Sequence, residues 1–541
     1  ILHTHLPFVL DHGRWPRGSD RMMEAATESY LPLIDMLDSL QREGVDAPFS
    51  LSVTPVVAAQ LAAPSFASEL RAFIAQRHAA CDDAERELVA AGDHGLAGIV
   101  HWWRRWYEER AAQFDALDDG IIGALRALER DGRIELMSSA ATHGFLPLLA
   151  RDESIRLQLF AGRAEHERLF GSVPAGCWLP ECAYRPGGSW APWPGVAPRM
   201  RSGIEVSLAA AGYRFIVVDA HLAGAGDPFE PYTMPRGTHS TRGARSPYGD
   251  YSVGAGPDAI RAFVRDPVST RQVWSRDGGY PGGDAYLEFH KIRFPGGLQL
   301  WKITGPNVSL GDKLPYDAAS ALSLARTHAR HFAGVLRDTA KREASTQGRV
   351  IVGPFDAELF GHWWFEGPPF LREMYRALRD TPAVRAATAS EHLDRAGKPV
   401  PVRLEAGSWG ANGDFSFWLN DQTAWMWQRM WALEERFWDA VPHALARSEA
   451  HDVLAQAARE LLLAQASDWQ FMISAGEVPD YGERRFRMHT DSTESLVAAL
   501  ASGGDLAGAT RQAAELRARD GLFPDILDAV SRAIRNHAPT V

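Results

Sequence analysis

The strongest constraint on the fold is an alternation along the first 400 residues. Seven short apolar or β-branched runs (1–7, 49–57, 134–147, 176–184, 213–222, 298–304 and 350–358) are separated by segments of helical periodicity such as 22–40, 121–130, 155–170, 204–211 and 317–340. Strands joined through helices return in the same direction and pair in parallel. The expected fold class is therefore α/β, with a closed or nearly closed barrel.

The remaining segments depart from that rhythm. Residues 62–110 are helical in pattern, aromatic-rich around Trp102, Trp103, Trp106 and Tyr107, and too long for a simple crossover, so they read as an inserted helical subdomain. Residues 223–297 are dense in Gly and Pro, as in a long functional loop or active-site lid. Beyond the breaker-rich 397–413, helical periodicity returns at 422–441, 449–474, 493–501 and 506–519. The expected organisation is a barrel over 1–61 and 111–396, an insertion over 62–110 and a C-terminal helical domain over 397–541. A chain of 541 residues exceeds what one core holds.

Composition narrows the partners. A formal net charge of −11 without a long basic run leaves no footprint for nucleic acid or anionic lipid. No run of about 18 apolar residues offers a membrane span. Three cysteines (Cys81, Cys177 and Cys182) form no disulfide framework and point to a reducing compartment, the cytoplasm. Cys177 and Cys182 have no second pair to complete a zinc site. The numbering opens on a strand-like run at Ile1, so native residues are expected to precede it, and a removed signal peptide stays open. Phosphate-loop, nucleophile-elbow, zinc-helix and EF-hand signatures are absent. Eighteen tryptophans, with Trp409, Trp418, Trp425, Trp427 and Trp431 close together, suit a surface on which sugar rings stack.

In such barrels chemistry sits at the C-terminal ends of the strands. His3, His5, His143, Glu181, Asp219, His221, Asp356 and Glu358 all fall late in a strand or just after one. Glu181 lies between Trp178 and Tyr184, and Asp356 lies in an aromatic run ending at Trp363 and Trp364. An apolar wrap raises a carboxyl pKa, as a general acid requires. Two carboxylates on separate strands are what glycoside cleavage needs, one attacking the anomeric carbon and one protonating the leaving oxygen. The bland alternative for Glu181 is an ion pair with Arg185, and spacing does not separate Asp356 from Glu358. His3 and His5 share a strand face, which with His143 or His221 makes a metal chelate the rival reading, as in a metal-dependent carbohydrate deacetylase. Otherwise these imidazoles bond sugar hydroxyls or pack.

At these residues the sequence resembles glycoside hydrolase family 57, and within it the 1,4-α-glucan branching enzymes. The segments are 3–9, 142–149, 178–187, 273–290, 354–368 and 467–471, spanning nearly the whole chain. The resemblance implies an incomplete (β/α)7 barrel with helical additions, Glu181 as nucleophile and Asp356, not Glu358, as acid/base. It places His5, His143, Trp274, Trp409, Trp418 and Asp468 around the bound sugar and makes Tyr232 or Tyr248 the key tyrosine of a water-excluding loop. It implies no metal or other cofactor, with α-1,4-glucan donor and acceptor chains as partners. A 4-α-glucanotransferase or an α-glucan hydrolase on the same site is the enzymatic alternative, and a glucan-binding protein without catalysis a remoter one.

Overall fold

The computed structural model describes residues 1–14, 18–229, 245–275, 278–343, 349–502 and 506–535. Its main sheet contains β1 (Leu2–Thr4), β2 (Phe49–Val53), β3 (Ile134–Ser139), β4 (Gly176–Trp178), β5 (Phe215–Val218), β6 (Tyr251–Val253), β7 (Ile260–Val264), β8 (Phe355–Asp356) and β9 (Val400–Pro401). Their spatial order is β8-β1-β2-β3-β4-β5-β7-β6-β9. The seven from β8 to β7 pair in parallel. The ring is drawn together at its last seam by a single parallel bridge between Arg265 and Val352, with the Asp266 N–H donating to the Val352 carbonyl at 2.8 Å. This is the incomplete seven-stranded barrel, extended past β7 by antiparallel β6 and by β9.

Alternation divides the packing between two layers. Phe215 and Val217 of β5 join Met137, Trp178, Phe263 and Val352 in one buried cluster, while Ile216 and Val218 belong to the larger cluster under the helices. Gly176 is required here because a Cβ would stand 2.3 Å from the Phe215 ring.

One expected strand is elsewhere. Residues 298–304 make only isolated bridges to their own surroundings, Leu298 to Arg293, Trp301 to Pro315 and Lys302 to Leu287. The sixth ring strand is β7, inside the segment read as irregular, which also holds β6 and the helix Pro267–Trp274.

Helices Phe66–Ala90 and His94–Asp115 pack on one another, the second running past the bound expected at residue 110 and capped by Asp93, whose carboxylate accepts from the Leu96 N–H at 3.0 Å. The C-terminal helices are Ala424–Leu445, His451–Ala464, Asp468–Ala475, Pro479–Ser502, Ala507–Asp520 and Ile526–Ile534. The continuous helix expected over 449–474 is broken at residues 465–467. There Ala466 bridges to Gly144, and the Ser467 N–H donates to the His143 carbonyl at 3.2 Å. The break turns Ser467 and Asp468 toward the loop after β3. No helix among the described residues is long and apolar enough to cross a membrane.

Candidate active site

Every ring strand delivers polar groups at its C-terminal end. β4 ends in Trp178, and the turn Pro180–Cys182 holds Glu181 at φ 60° and ψ 24°, with Cys182 also left-handed. His143, after β3, is left-handed as well at φ 57°. Such backbone costs a non-glycine residue about 1 kcal/mol or more, and it clusters where function over-determines the chain.

Glu181 is well furnished with donors. Its Oε2 accepts from Trp409 Nε1 at 2.9 Å, its Oε1 from Ser467 Oγ at 3.5 Å, and His143 Nδ1 stands 3.7 Å from Oε1. Its side chain is 17% exposed. Burial pushes the carboxyl up to about 7, against the Trp409 hydrogen bond and the His5 charge, which pull it down.

Asp356, at the end of β8, accepts no hydrogen bond from the described residues. Burial, then the charges of Glu358 and Glu181, hold its carboxyl well above the ordinary range, with Arg265 opposing. Glu358 is turned away, accepting from the Tyr30 hydroxyl at 2.5 Å in a buried position. The two carboxylates that sequence spacing left equivalent thus have different surroundings.

The three histidines form a stack. His5 and His143 lie 3.8 Å apart at 16°, and His3 stacks on Trp178 at 4.4 Å and 6°. His5 donates to the Asp468 carboxylate at 3.0 Å and faces Thr54 Oγ1 at 3.3 Å. Burial pulls the His5 imidazole down, but the charge and hydrogen bond of Asp468 outweigh it and its pKa is raised. His3 reaches Ser52 Oγ at 3.0 Å and His143 Nε2 at 3.1 Å, and His143 reaches Ser467 Oγ at 3.2 Å. All six ring nitrogens therefore have protein partners, which argues against the chelate reading. His221 stands apart, on the Gly413 carbonyl at 2.7 Å, and Asp219 is paired with Arg265 at 2.5 Å. Among the described residues the acidic and imidazole groups that cluster within 4.8 Å are instead Glu460, His489 and Asp520, and they too are paired within the protein, His489 Nδ1 with Glu460 at 2.7 Å and Asp520 with His12 at 2.6 Å.

Trp409 meets Trp178 edge-on at 5.3 Å and Trp274 at 6.2 Å, and Arg265 lies 5.5 Å from its ring centroid. The Trp274 N–H has no partner among the described residues. Trp418 is 1% exposed, stacked on Phe145 at 4.6 Å, so it backs the site wall and does not line its surface. Trp427 and Trp431 are buried in helix packing, with N–H groups on the carbonyls of Trp418 and Leu148, and Trp425 packs edge-on against Phe486. Of the five tryptophans from Trp409 to Trp431, Trp409 reaches the carboxylates, while half-buried Trp425 also lies under the Arg487 guanidinium. Tyr232 lies outside the described residues. Tyr248 is buried, its hydroxyl donating to Asp266 at 2.9 Å in the cap of the helix Pro267–Trp274, and is not brought to Glu181. Sequence reasoning missed Arg265, Ser52 and Tyr30, which carry no motif of their own, and Ser467, which opens the segment 467–471 but was given no role.

A family model described as glycosyl hydrolase family 57 matches residues 1–404, and one described as the 1,4-alpha-glucan branching enzyme C-terminal region matches 425–530. The 1,4-alpha-glucan branching enzyme of Thermococcus kodakarensis is 37% identical over 494 residues, covering 91% of this chain and 71% of that protein. Its crystal structure in complex with glucose aligns with a TM-score of 0.90 at 34% identity, covering 99% and 96% of the two chains. A Mycobacterium tuberculosis protein named "Probable 1,4-alpha-glucan branching enzyme" is 32% identical over 548 residues, covering 97% of this chain and 95% of that one. The crystal structure of the α-amylase AmyC of Thermotoga maritima aligns at a TM-score of 0.81 and 27% identity, covering 98% of each chain. With the family model running through the barrel and relatives this similar over nearly its full length, the chain belongs to glycosyl hydrolase family 57.

Proposed function

We propose that this protein is a retaining 1,4-α-glucan branching enzyme, in which Glu181 is the nucleophile and Asp356 the acid/base. The observation that carries the assignment is the asymmetry of the two carboxylates. Glu181 is held by the Trp409 N–H with Ser467 and His143 beside it, contacts that favour its ionised form, whereas Asp356 has no donor and two carboxylate neighbours, which favour its proton.

Glu181 attacks C1 of an internal α-1,4-linked glucose while Asp356 protonates the departing O4, leaving a glycosyl ester on Glu181. Asp356, now ionised, takes the proton from the 6-hydroxyl of an acceptor chain, which attacks C1 from the vacated side and forms an α-1,6 branch. Two displacements restore the α configuration. Asp468, oriented by His5, accepts from sugar hydroxyls, the stacked rings of His5 and His143 line the sugar site with their nitrogens engaged within the protein, and the faces of Trp274 and Trp409 take sugar rings. The division into a barrel, an insertion at 62–110 and a helical domain from 397 belongs to the same proposal, with the C-terminal domain completing the cleft through Ser467 and Asp468.

The likeness to an α-amylase structure favours one alternative, attack by water on the same ester. Incubation with amylose followed by a debranching enzyme separates the two. Branching releases new short chains on debranching with few new reducing ends beforehand. Reducing ends that accumulate without α-1,6 linkages would instead identify a hydrolase.

A further inference from the structure

Four hydrogen bonds run from the far side of β1 to the nucleophile: Ser52 Oγ to His3 Nδ1 at 3.0 Å, His3 Nε2 to His143 Nε2 at 3.1 Å, His143 Nδ1 to Ser467 Oγ at 3.2 Å and Ser467 Oγ to Glu181 Oε1 at 3.5 Å. Ser52, His3, His143 and Ser467 are all buried. Their elements are distant in sequence: β2, β1, the loop after β3 and the break before Asp468–Ala475.

A neutral imidazole has one donor and one acceptor nitrogen, so such a chain runs in only one direction at a time. An ionised carboxylate accepts only. When Glu181 is charged, the Ser467 hydroxyl donates to it and accepts from His143 Nδ1–H. A proton at that nitrogen also faces Glu181 Oε1 directly, 3.7 Å away. His143 Nε2 is then an acceptor, His3 donates from Nε2, and Ser52 donates to His3 Nδ1. Both rings are neutral, their pKa values held well below the ordinary one by burial and then by the His5 charge.

We infer that Ser52, His3 and Ser467 are positioning residues of the reaction, forming a one-way hydrogen-bond chain whose direction is set by the charge on Glu181 and which in turn stabilises that charge. The chain presents its terminal hydrogen to the nucleophile before attack. It is released from that direction when the carboxylate becomes an ester and Oε1 loses its charge. The inference rests on Glu181 being the nucleophile. The titratable groups around Glu181 are His5 just after β1, His143 after β3, Cys182 beside it, Asp356 at the end of β8 and Asp468 at the start of the helix Asp468–Ala475.

Two measurements test it. Neutron diffraction from the unmodified, deuterium-exchanged protein, above the midpoint of the acidic limb of the rate profile, should place deuterons on His143 Nδ1 and His3 Nε2. Deuterons on His143 Nε2 or His3 Nδ1 would overturn the inference without reference to turnover. The pH profile of kcat/KM on amylose supplies the second readout. Ser467→Ala should move the acidic midpoint up by roughly half a pH unit, Ser52→Ala should move it less in the same direction, and Ser52→Thr should restore it. A uniform loss of rate in Ser52→Ala with an unmoved midpoint would mean that Ser52 only packs. If Glu181→Gln stays active, the nucleophile assignment fails instead, whatever the deuterons show.

Discussion

Replacing Glu181 by Gln separates what the residue does in the reaction from what it does to the fold. Gln keeps the shape and can still accept from Trp409 Nε1, so the site geometry should survive while the nucleophile is lost. Burial raises the Glu181 carboxyl from 4.5 to about 7. Because the folded value lies above the unfolded one, the stability associated with the protonated form is fully present below pH 4.5 and is lost as pH rises through about 7. That shift corresponds to about 3 kcal/mol, and the uncharged amide does not incur it. Unfolding entropy scales with length at roughly 2.1 cal/mol/K per residue, so in a chain of 541 residues the gain amounts to about 3 °C. Calorimetric scans of wild type and Glu181→Gln at pH 4.5 and pH 8 should show the variant gaining about that much relative to wild type at the higher pH, with no branching activity at either. A difference in Tm that does not change with pH, or wild type gaining at pH 8, would refute the view that burial opposes the charge on Glu181.

The same site makes further predictions. Asp356→Asn should lose activity on amylose but keep the first step with a donor whose leaving group needs no proton, which stopped-flow release of that group would register. Trp409→Phe removes a hydrogen bond to a charged group, worth about 1.5–3 kcal/mol. It should lower kcat/KM by roughly 10- to 100-fold and push the acidic limb of the profile upward. Since Glu181 must be ionised and Asp356 protonated in the free enzyme, kcat/KM should fall as pH drops below about 7 and fall again at higher pH as Asp356 titrates. Arg265→Leu leaves Asp219 buried without its partner and should cost about 3–5 kcal/mol, measured by urea unfolding.

Much of the barrel was legible because a strand buried on both faces must be apolar and its functional groups must fall at its end. β7 was not, since Ile260–Val264 carries Arg261 and follows a Gly- and Pro-rich stretch, while 298–304 shows the alternation of a strand with Leu298 and Leu300 buried. The periodicity of that second run is spent on local pairing, which period alone cannot reveal. Glu181 and Asp356 were visible as charges in aromatic surroundings. Their different hydrogen bonding was not, because Trp409 and Ser467 arrive from more than 220 residues away. The helix break before Asp468 has no Gly or Pro to announce it and arises from the Ala466–Gly144 bridge, a tertiary contact. The spacing of His3 and His5 was plain, but only the positions of Ser52, Thr54, Asp468 and His143 show that their nitrogens are engaged within the protein.

The most direct test of the account is to find which side chain carries the sugar. The protein would be treated with an activated fluorinated maltosyl donor whose glycosyl-enzyme breaks down slowly, digested at low pH and mapped by mass spectrometry. The predicted result is one glycosyl adduct, on the peptide containing Glu181 and at that residue. An adduct on Asp356 or Glu358, or no adduct together with products of inverted configuration, would contradict a double displacement through Glu181.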